Sequence, residues 1–183
     1  MGVRGCFCGV ARAVVMVNGL PGSGKSSLGP RLAAVLGAAF LAKDRIKDAL
    51  AEAAGPDVPG LGAVAMDTAY ALAAALDGTV VLDSWWFRPR DLEFARAGLV
   101  RCGAAATAEV WCDVPAELAR ARYVARQRPG YYADAQRLAT DWPRWAAEAE
   151  PLALGPVIRV DTSGPVDLET LRSQVTAALR PGV

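Results

Sequence analysis

Eight consecutive residues have the types and spacing that bind phosphate groups: Gly19-Leu20-Pro21-Gly22-Ser23-Gly24-Lys25-Ser26. Glycines allow backbone conformations that a Cβ would block, so successive N–H groups and the positive end of the next helix can face one phosphate tail. The Lys25 ammonium can reach the β- and γ-phosphates, and the Ser26 hydroxyl can ligate Mg²⁺. The pattern therefore predicts a nucleotide site made of Gly19, Leu20, Pro21, Gly22, Ser23, Gly24, Lys25, Ser26 and Ser27.

Two aspartates follow later strand-like segments and are the candidates for proton transfer and metal binding. Asp44 lies at the next strand-to-helix turn, where a carboxylate can accept a proton from a substrate hydroxyl that attacks the γ-phosphate. Capping of its own helix is the alternative role, and the two are compatible. Asp83 ends an apolar run, an arrangement that often holds Mg²⁺, and it can equally contact the substrate. Because the chain contains no histidine, any general base must be a carboxylate.

Four arginines crowd one stretch before Pro129-Gly130: Arg120, Arg122, Arg126 and Arg128. On a helix spanning 115–128, Arg122 and Arg126 share one face because they are four residues apart. Arginines that approach the transferring phosphoryl group stabilise its charge, and a Pro-Gly hinge suits a closing lid. We therefore predict a lid at about residues 120–135, with Arg122 and Arg126 catalytic. A solvated basic helix face is the alternative.

Aromatic residues follow Asp83 directly, in the sequence Trp85-Trp86-Phe87-Arg88. On a loop at the edge of the crevice, Trp85 and Trp86 can wall an acceptor and Arg88 or Arg90 can pair with an anionic one. Packing as a satellite core under the following helix is nearly as favoured. We predict that the acceptor site contains Asp44, Asp83, Trp85, Trp86 and Arg88, and that Thr162 lies along the adenine edge.

Short apolar runs alternate with segments of helical spacing, which indicates a parallel α/β sheet covered on both faces. The predicted fold is a three-layer P-loop NTPase fold with a five-stranded parallel sheet, a small lid and one domain over residues 1–183. The predicted strands are Ala13–Asn18, Ala38–Ala42, Thr79–Asp83, Ala108–Asp113 and Val157–Asp161. The predicted helices are Lys25–Leu36, Asp44–Ala54, Leu61–Leu76, Pro89–Cys102, Pro115–Arg128, Ala135–Ala149 and Asp167–Leu179.

Composition restricts the function classes further. A net charge of +1 over 183 residues gives no basic field, which argues against long nucleic-acid partners. Four scattered cysteines without histidine argue against a zinc site, so we expect reduced thiols at Cys6, Cys8, Cys102 and Cys112. With no membrane-spanning run and no signal-peptide pattern, we expect a soluble cytoplasmic protein.

In the order of these segments the chain resembles P-loop small-molecule kinases, an AAA-type ATP-binding group related to chloramphenicol phosphotransferase and the zeta-toxin and polynucleotide-kinase-like kinases. The resemblance covers about Ala13 to Leu179. It implies ATP with Mg²⁺, γ-phosphoryl transfer to a hydroxyl, Asp44 as base, and Arg126 with Arg122 as lid arginines. Similar proteins often carry a histidine after the lid arginine, where this chain has Tyr131-Tyr132. The segments that carry the resemblance are Gly19–Ser26, Lys43–Lys47, Val80–Asp83, Val110–Pro115 and Val160–Thr162.

Three functions remain open at this point. The first is an ATP-dependent phosphotransferase acting on a hydroxyl of a small molecule, such as an antibiotic or another specialised metabolite. The second is a nucleoside, nucleotide or nucleic-acid 5′-end kinase, whose base-gripping groups would be Trp85, Trp86 and Arg88. The third is a nucleotide-dependent switch or sensor, which needs no carboxylate aimed at an acceptor.

Overall fold

The computed structural model describes residues 12–180 and contains one sheet of five parallel strands. Their spatial order is β2-β3-β1-β4-β5, so the strand that precedes the phosphate-binding loop lies in the centre. Each strand is short and mostly apolar, as expected when both faces of a sheet are covered. The strands are β1 Ala13–Asn18, β2 Ala39–Ala42, β3 Thr79–Asp83, β4 Ala106–Asp113 and β5 Val157–Asp161.

Eight α-helices and one 3₁₀ turn, Gly130–Tyr132, connect these strands within the described residues. The last helix begins directly after Asp167. The Asp167 side chain accepts hydrogen bonds from the backbone amides of Glu169 and Thr170 and so caps the first turn. The helices are α1 Lys25–Leu36, α2 Lys43–Ala54, α3 Leu61–Ala75, α4 Arg88–Arg101, α5 Ala116–Val124, α6 Asp134–Thr140, α7 Trp142–Glu148 and α8 Leu168–Ala178.

Two apolar cores separate three layers, because successive residues of β1 point to opposite faces of the sheet. Val14 and Met16 pack against α3 and α4, with Tyr70 and Leu99 among the partners. Val15 and Val17 pack on the other face against α1 and α8. This helix–sheet–helix arrangement confirms the predicted three-layer fold and its five-stranded parallel sheet.

A third apolar cluster lies beside the sheet and links the phosphate-binding loop to α5 and α7. Leu20 of the loop and Phe87 pack there with Tyr123, Trp142 and Trp145. The rings of Tyr123 and Trp142 are stacked with centroids 5.8 Å apart. The cluster therefore packs against Leu20 of the loop and explains why Trp142 and Trp145 are buried.

The predicted helix over 115–128 is wrong beyond Val124, where α5 ends. Pro129 disfavours helical geometry at the preceding residue, and the Arg128 side chain is held by carboxylates outside the helix. Arg126 therefore lies in the connection after the helix and does not continue the helix face of Arg122. Residues 125–133, which join α5 to α6, are called the 125–133 connection below.

The single helix predicted over 135–149 is also wrong, because the chain forms α6 and α7 instead. Pro143 follows the first residue of α7, and a proline has no N–H to continue the hydrogen bonds of α6. It is well suited to the first turn of a new helix. Cys6 and Cys8 lie outside the described residues. Within residues 12–180, no helix combines the length and the apolar character that crossing a membrane requires.

Candidate active site

The register of the sheet brings the predicted aspartates to one edge. Asp83, the last residue of β3, lies opposite Val17 of β1 and Ala42 of β2. The phosphate-binding loop starts two residues after Val17, and Asp44 follows Ala42 by the same distance. Parallel strands gather their carboxyl ends at one crevice, so three separate segments meet there.

The backbone of the loop is shaped for an anion at the start of α1. Gly22 has a φ of +85°, and a Cβ there would collide with the carbonyl of Ala119 in α5. Gly24, with φ +93°, is the residue before α1, and no side chain caps this helix. The N–H groups of Lys25 and Ser26 have no hydrogen-bond partner within the described residues and can bind oxygen atoms, together with the positive end of the helix dipole. The N–H group of Ser27 already donates to the Gly24 carbonyl oxygen at 3.0 Å.

Lys25 is buried at the start of α1 with its ammonium beneath the loop. Its Nζ donates to the carbonyl oxygens of Gly19 at 2.7 Å and Leu20 at 2.8 Å. Burial lowers the pKa of Lys25 to about 8, although the Asp83 carboxylate opposes this shift. A phosphate beside this ammonium would restore its charge, so the residue is electrostatically suited to a polyphosphate.

Asp83 is also buried, and its surroundings fit a magnesium ion. Burial raises the pKa of its carboxyl group, while the Lys25 ammonium and the Ser26 hydroxyl oppose the rise. Within residues 12–180 no group of three or more acidic, histidine or cysteine side chains forms a metal cluster. Magnesium typically uses one or two carboxylates with substrate phosphates and waters, which Asp83 and Ser26 can complement.

One cavity of about 630 Å³ joins these residues. The loop contributes one wall, and α2, α3, α4, α5 and the 125–133 connection contribute the others. Behind the loop surface, Gly19, Leu20 and Ser23 are buried and support it. The lining includes Pro21, Gly22, Gly24, Lys25, Ser26, Ser27, Lys43, Asp44, Lys47, Met66, Asp83, Trp85, Trp86, Arg90, Phe94, Arg122, Arg126, Arg128, Tyr132 and Arg137.

Asp44 lies in the first turn of α2 with 45% of its side chain exposed. Its Oδ2 accepts a hydrogen bond of 3.0 Å from Arg128, which also pairs with Asp134. Oδ1 has no hydrogen-bond partner within the described chain, and Asp44 lines the cavity. The arrangement leaves Asp44 able to accept a proton while Arg128 limits its orientation.

The predicted arginines separate into different roles. Arg122 donates to the carbonyl oxygens of Thr162 at 3.1 Å and Ser163 at 3.2 Å, so it braces the segment after β5 against the loop. Thr162 is buried and donates to the Ser23 carbonyl at 2.6 Å, and it does not line the cavity. Arg126 is exposed, lines the cavity and is held by no ion pair within residues 12–180.

The aromatic segment after β3 is only partly at the cavity. Trp85 and Trp86 both line it, but Trp86 is buried in the core beneath α3 and α4. Phe87 belongs to the third cluster. Arg88 does not line the cavity and pairs with Glu150, which corrects its prediction as an acceptor residue. Helix α4 begins at Arg88, and Arg90, two residues further along the helix, lines the cavity instead.

Arg90, the alternative to Arg88 as partner of an anionic acceptor, lines the cavity, but several other lining residues are absent from the predicted acceptor site: Lys43, Lys47, Arg128 and Arg137. Lys43 and Lys47 are four apart on α2 and share one face. One signal was present in the sequence, because these two and Lys25 are the only lysines among 20 basic residues. Arg137 gave no signal, since only the fold carries α6 to this edge.

Comparisons with known proteins agree with this architecture. A family model described as an AAA domain matches residues 14–152. A candidate kinase from Chloroflexus aurantiacus J-10-fl is 21% identical, with a TM-score of 0.73 over 93% of this chain and 100% of that one. No curated protein sequence matches significantly.

Two further solved structures share the fold. The APS kinase of Mycobacterium tuberculosis, in complex with AMPPNP and APS, is 21% identical, with a TM-score of 0.60 over 93% of this chain and 98% of that one. A gluconokinase of Sinorhizobium meliloti 1021 is 19% identical, with a TM-score of 0.56 over 93% of both chains. At these identities the likeness establishes the fold.

Proposed function

The chain belongs to the AAA domain family, and from that premise we propose that it is an ATP-dependent kinase of small molecules. It transfers the γ-phosphoryl group of ATP to a hydroxyl of its acceptor. The observation that carries the proposal is the shared cavity, in which Lys25 of the phosphate-binding loop and the carboxylate of Asp44 line the same space.

The reaction assigns a distinct task to each side chain. The acceptor oxygen attacks the γ-phosphorus and its proton passes to Asp44, while the bond from the γ-phosphorus to the β–γ bridging oxygen breaks and ADP leaves with the electron pair. Lys25 and the loop amides hold the phosphates, and Arg126 is the free guanidinium that can approach the transferred group. Positioning and electrostatics supply most of the rate enhancement in such a reaction.

Magnesium belongs to this proposal as the partner of the nucleotide. Ser26 and Asp83 would hold it, and bound there it would neutralise charge on the phosphate oxygens. Burial of Asp83 supports the assignment, because a carboxylate whose pKa is raised by burial gains from a neighbouring cation.

The acceptor is a small molecule in this proposal. Two structural neighbours are named as kinases of APS and of gluconate, which supports a compact hydroxylated acceptor for this fold. Antibiotics and other specialised metabolites belong to the same size class, and a cavity of about 630 Å³ also has to contain the phosphate tail. The test must therefore cover several chemical classes.

The decisive experiment incubates the purified protein with magnesium, ATP and a panel of hydroxylated compounds. We expect one compound class to gain a single phosphoryl group by mass spectrometry, with an equal amount of ADP released. ADP release that no compound stimulates would instead identify a nucleotide-dependent switch. Absence of ATP binding by calorimetry would overturn the proposal altogether.

A further inference from the structure

All three lysines of the chain line the same cavity. The protein has 20 basic residues, and only Lys25, Lys43 and Lys47 are lysines. Lysine differs from arginine in carrying a compact charge whose pKa shifts readily on burial. Lys25 is explained by the phosphate-binding loop. Lys43 and Lys47 lie on the other side of Asp44, on α2, and the phosphate site does not explain them.

Within residues 12–180, the ammonium group of Lys43 has no hydrogen-bond or ion-pair partner. Its Nζ lies against Gly62 of α3, 3.6 Å from the position that a Cβ would occupy there. Neither Lys43 nor Lys47 has a carboxylate oxygen within 4 Å in the described chain. Burial lowers the pKa of Lys43; the charges of Asp44 and Asp91 oppose this shift, and those of Arg90 and Arg137 add to it. Burying an ammonium group without an anion costs free energy, and an anion can reach Lys43 through the cavity.

Lys47 is buried one helical turn further along α2. Its Nζ lies 4.0 Å from the ring centroid of Tyr132 and makes one long hydrogen bond, 3.4 Å, to the Tyr131 carbonyl. Burial, followed by repulsion from Lys43, lowers its pKa. The two tyrosine hydroxyls donate to Oδ1 of Asp48, and this carboxylate makes no ion pair with Lys47 within the described residues. The aromatic faces stabilise the cation but do not neutralise it.

The other charges at this end are already compensated. Arg90 makes a bidentate contact with Asp91, at 2.7 Å for each oxygen. Arg128 pairs with Asp44 and Asp134. Arg137 donates to the Tyr132 carbonyl and lies 3.8 Å from Asp141. Lys43 and Lys47 are therefore the two ammonium groups beside the proposed base that make no ion pair with a carboxylate within the described residues.

We propose that Lys43 and Lys47 form an anion-binding subsite, and that the acceptor carries a carboxylate or phosphate group close to the hydroxyl that is phosphorylated. This inference rests on the proposed kinase function for the identity of the acceptor. The binding of the anion itself does not depend on turnover. The subsite disfavours neutral acceptors, since they would leave two desolvated ammonium groups without a counter-ion.

Apolar groups on the adjacent walls restrict the rest of the acceptor. Met66 of α3, Phe94 of α4 and Trp85, which follows β3, line the cavity. Their apolar groups offer a surface for a carbon skeleton. The acceptor that fits is a compact hydroxy acid or hydroxylated phosphate ester, with its anion toward α2 and its carbon skeleton against these side chains.

The test is a binding measurement with the nucleotide site filled, so that the phosphate-binding loop cannot capture the probe. The protein is saturated with magnesium and AMPPNP and titrated with matched pairs: gluconate and gluconamide, shikimate and its methyl ester, glycerol 3-phosphate and glycerol. We expect at least one anion to bind about tenfold or more tightly than its neutral partner. Carboxylates and phosphates are separate arms, and the arm that responds identifies the anion.

Variants then assign the preference to the two lysines. In Lys43→Met and Lys47→Met we expect the advantage of the anion over its neutral partner to fall by about tenfold, because the charge is lost and the aliphatic stem is kept. Arg31→Met is the matched control, since Arg31 is exposed on α1 and outside the cavity. An anion preference that persists in both lysine variants overturns the subsite.

A measurement on the unmodified protein covers the case in which a variant does not fold. Anion affinity should fall as pH rises and Lys43 and Lys47 lose their protons, whereas the neutral partner should bind with no such dependence. Equal affinity for the members of every pair, or no binding by any of them, overturns the inference. Anion binding without phosphoryl transfer would keep the subsite and reject the kinase. Phosphoryl transfer to a neutral compound, without any preference for anions, would support the kinase and reject the subsite.

Discussion

The two ends of the cavity are built in different ways. At the phosphate end, consecutive residues from Gly19 to Ser27 supply backbone amides, one lysine and one hydroxyl, all placed by the single turn between β1 and α1. At the opposite end, side chains arrive from α2, α4, α6 and the 125–133 connection. The first end depends on local backbone geometry, and the second depends on how distant helices pack.

This difference separates general from specific chemistry. Backbone amides at a helix N-terminus can bind a polyphosphate whatever its remaining structure, because every residue type except proline carries an N–H group. Lys43, Lys47 and Arg128 contribute side chains from α2 and the 125–133 connection, and in the proposed function these side chains would select the acceptor. Asp44 lies at the boundary and has a neighbour in each half, Asp83 on one side and Arg128 on the other.

The largest expected effect comes from removing the carboxylate at that boundary. Asp44→Asn keeps the size and a hydrogen-bond acceptor for Arg128 but cannot take the proton of the acceptor hydroxyl. We expect kcat to fall by about 10²–10⁴-fold while ATP affinity stays within about twofold. Steady-state kinetics with the identified acceptor and calorimetric titration of ATP measure the two quantities.

Asp113→Asn is the matched control for Asp44→Asn. Asp113 ends β4 at the same edge of the sheet, but it is exposed and pairs with Arg159 outside the cavity. Its kcat should remain close to that of the unmodified protein. A turnover of Asp44→Asn near the unmodified level would show that another group accepts the proton.

Around the phosphate-binding loop the fold could be predicted from the sequence because its signals are short-range. The loop motif, the apolar runs and the helical spacing all operate within about ten residues, and the five strands were found with small differences at their ends. The match of the AAA domain family model to residues 14–152 agrees with the predicted fold.

At the acceptor end, local sequence patterns do not predict the positions of several side chains. Arg88 was chosen because it follows the tryptophans, but the start of α4 turns it toward Glu150. Arg128 was assigned to a helix that Pro129 prevents. Lys43 and Lys47 have the spacing of residues on an exposed helix face. In the structure Lys43 packs against α3 and Lys47 packs against Tyr132, which places both lysines at the cavity. Pro129 is a local signal, whereas the surroundings of Arg88, Lys43 and Lys47 depend on tertiary contacts that no local pattern encodes.

An intermediate effect is expected at the phosphate end when Lys25 loses its charge. Because its pKa is lowered to about 8, nucleotide binding that requires the ammonium should weaken by about tenfold for each pH unit above that value. Lys25→Met should bind ATP about 10–100-fold more weakly at neutral pH and lack this alkaline dependence. Calorimetric titrations of magnesium and ATP from about pH 7 to 9.5 measure both.

Arg31→Met again serves as the control for charge, and it should retain both the affinity and the pH profile. An alkaline loss of affinity that survives unchanged in Lys25→Met would assign the titration to another group. In that case the backbone amides, rather than the ammonium, would carry most of the nucleotide affinity, and the contrast between the two ends would become sharper.

The smallest expected effect concerns stability and tests whether the acceptor end is held by side-chain pairing. Although burial of Asp134 opposes it, the Arg128 guanidinium and Tyr123 hydroxyl lower the pKa of that carboxyl group. A lowered carboxyl pKa contributes stability above the pKa of the unfolded chain, and this contribution is lost as pH falls through the folded-state value. Arg128→Met should therefore lower the free energy of unfolding by about 1–2 kcal/mol at neutral pH and by less in acid.

Urea unfolding of both proteins at pH about 7 and about 3 measures this difference, because the second value lies below the usual carboxyl range. Arg144→Met is the matched control, since Arg144 makes an exposed pair with Glu148 on α7, and such pairs contribute little. The same loss in both variants would mean that Arg128 acts as an ordinary surface charge. A loss confined to Arg128→Met and attenuated in acid would mean that the acceptor end owes its shape to the Asp44–Arg128–Asp134 contact, which has no counterpart in the amide-built phosphate end.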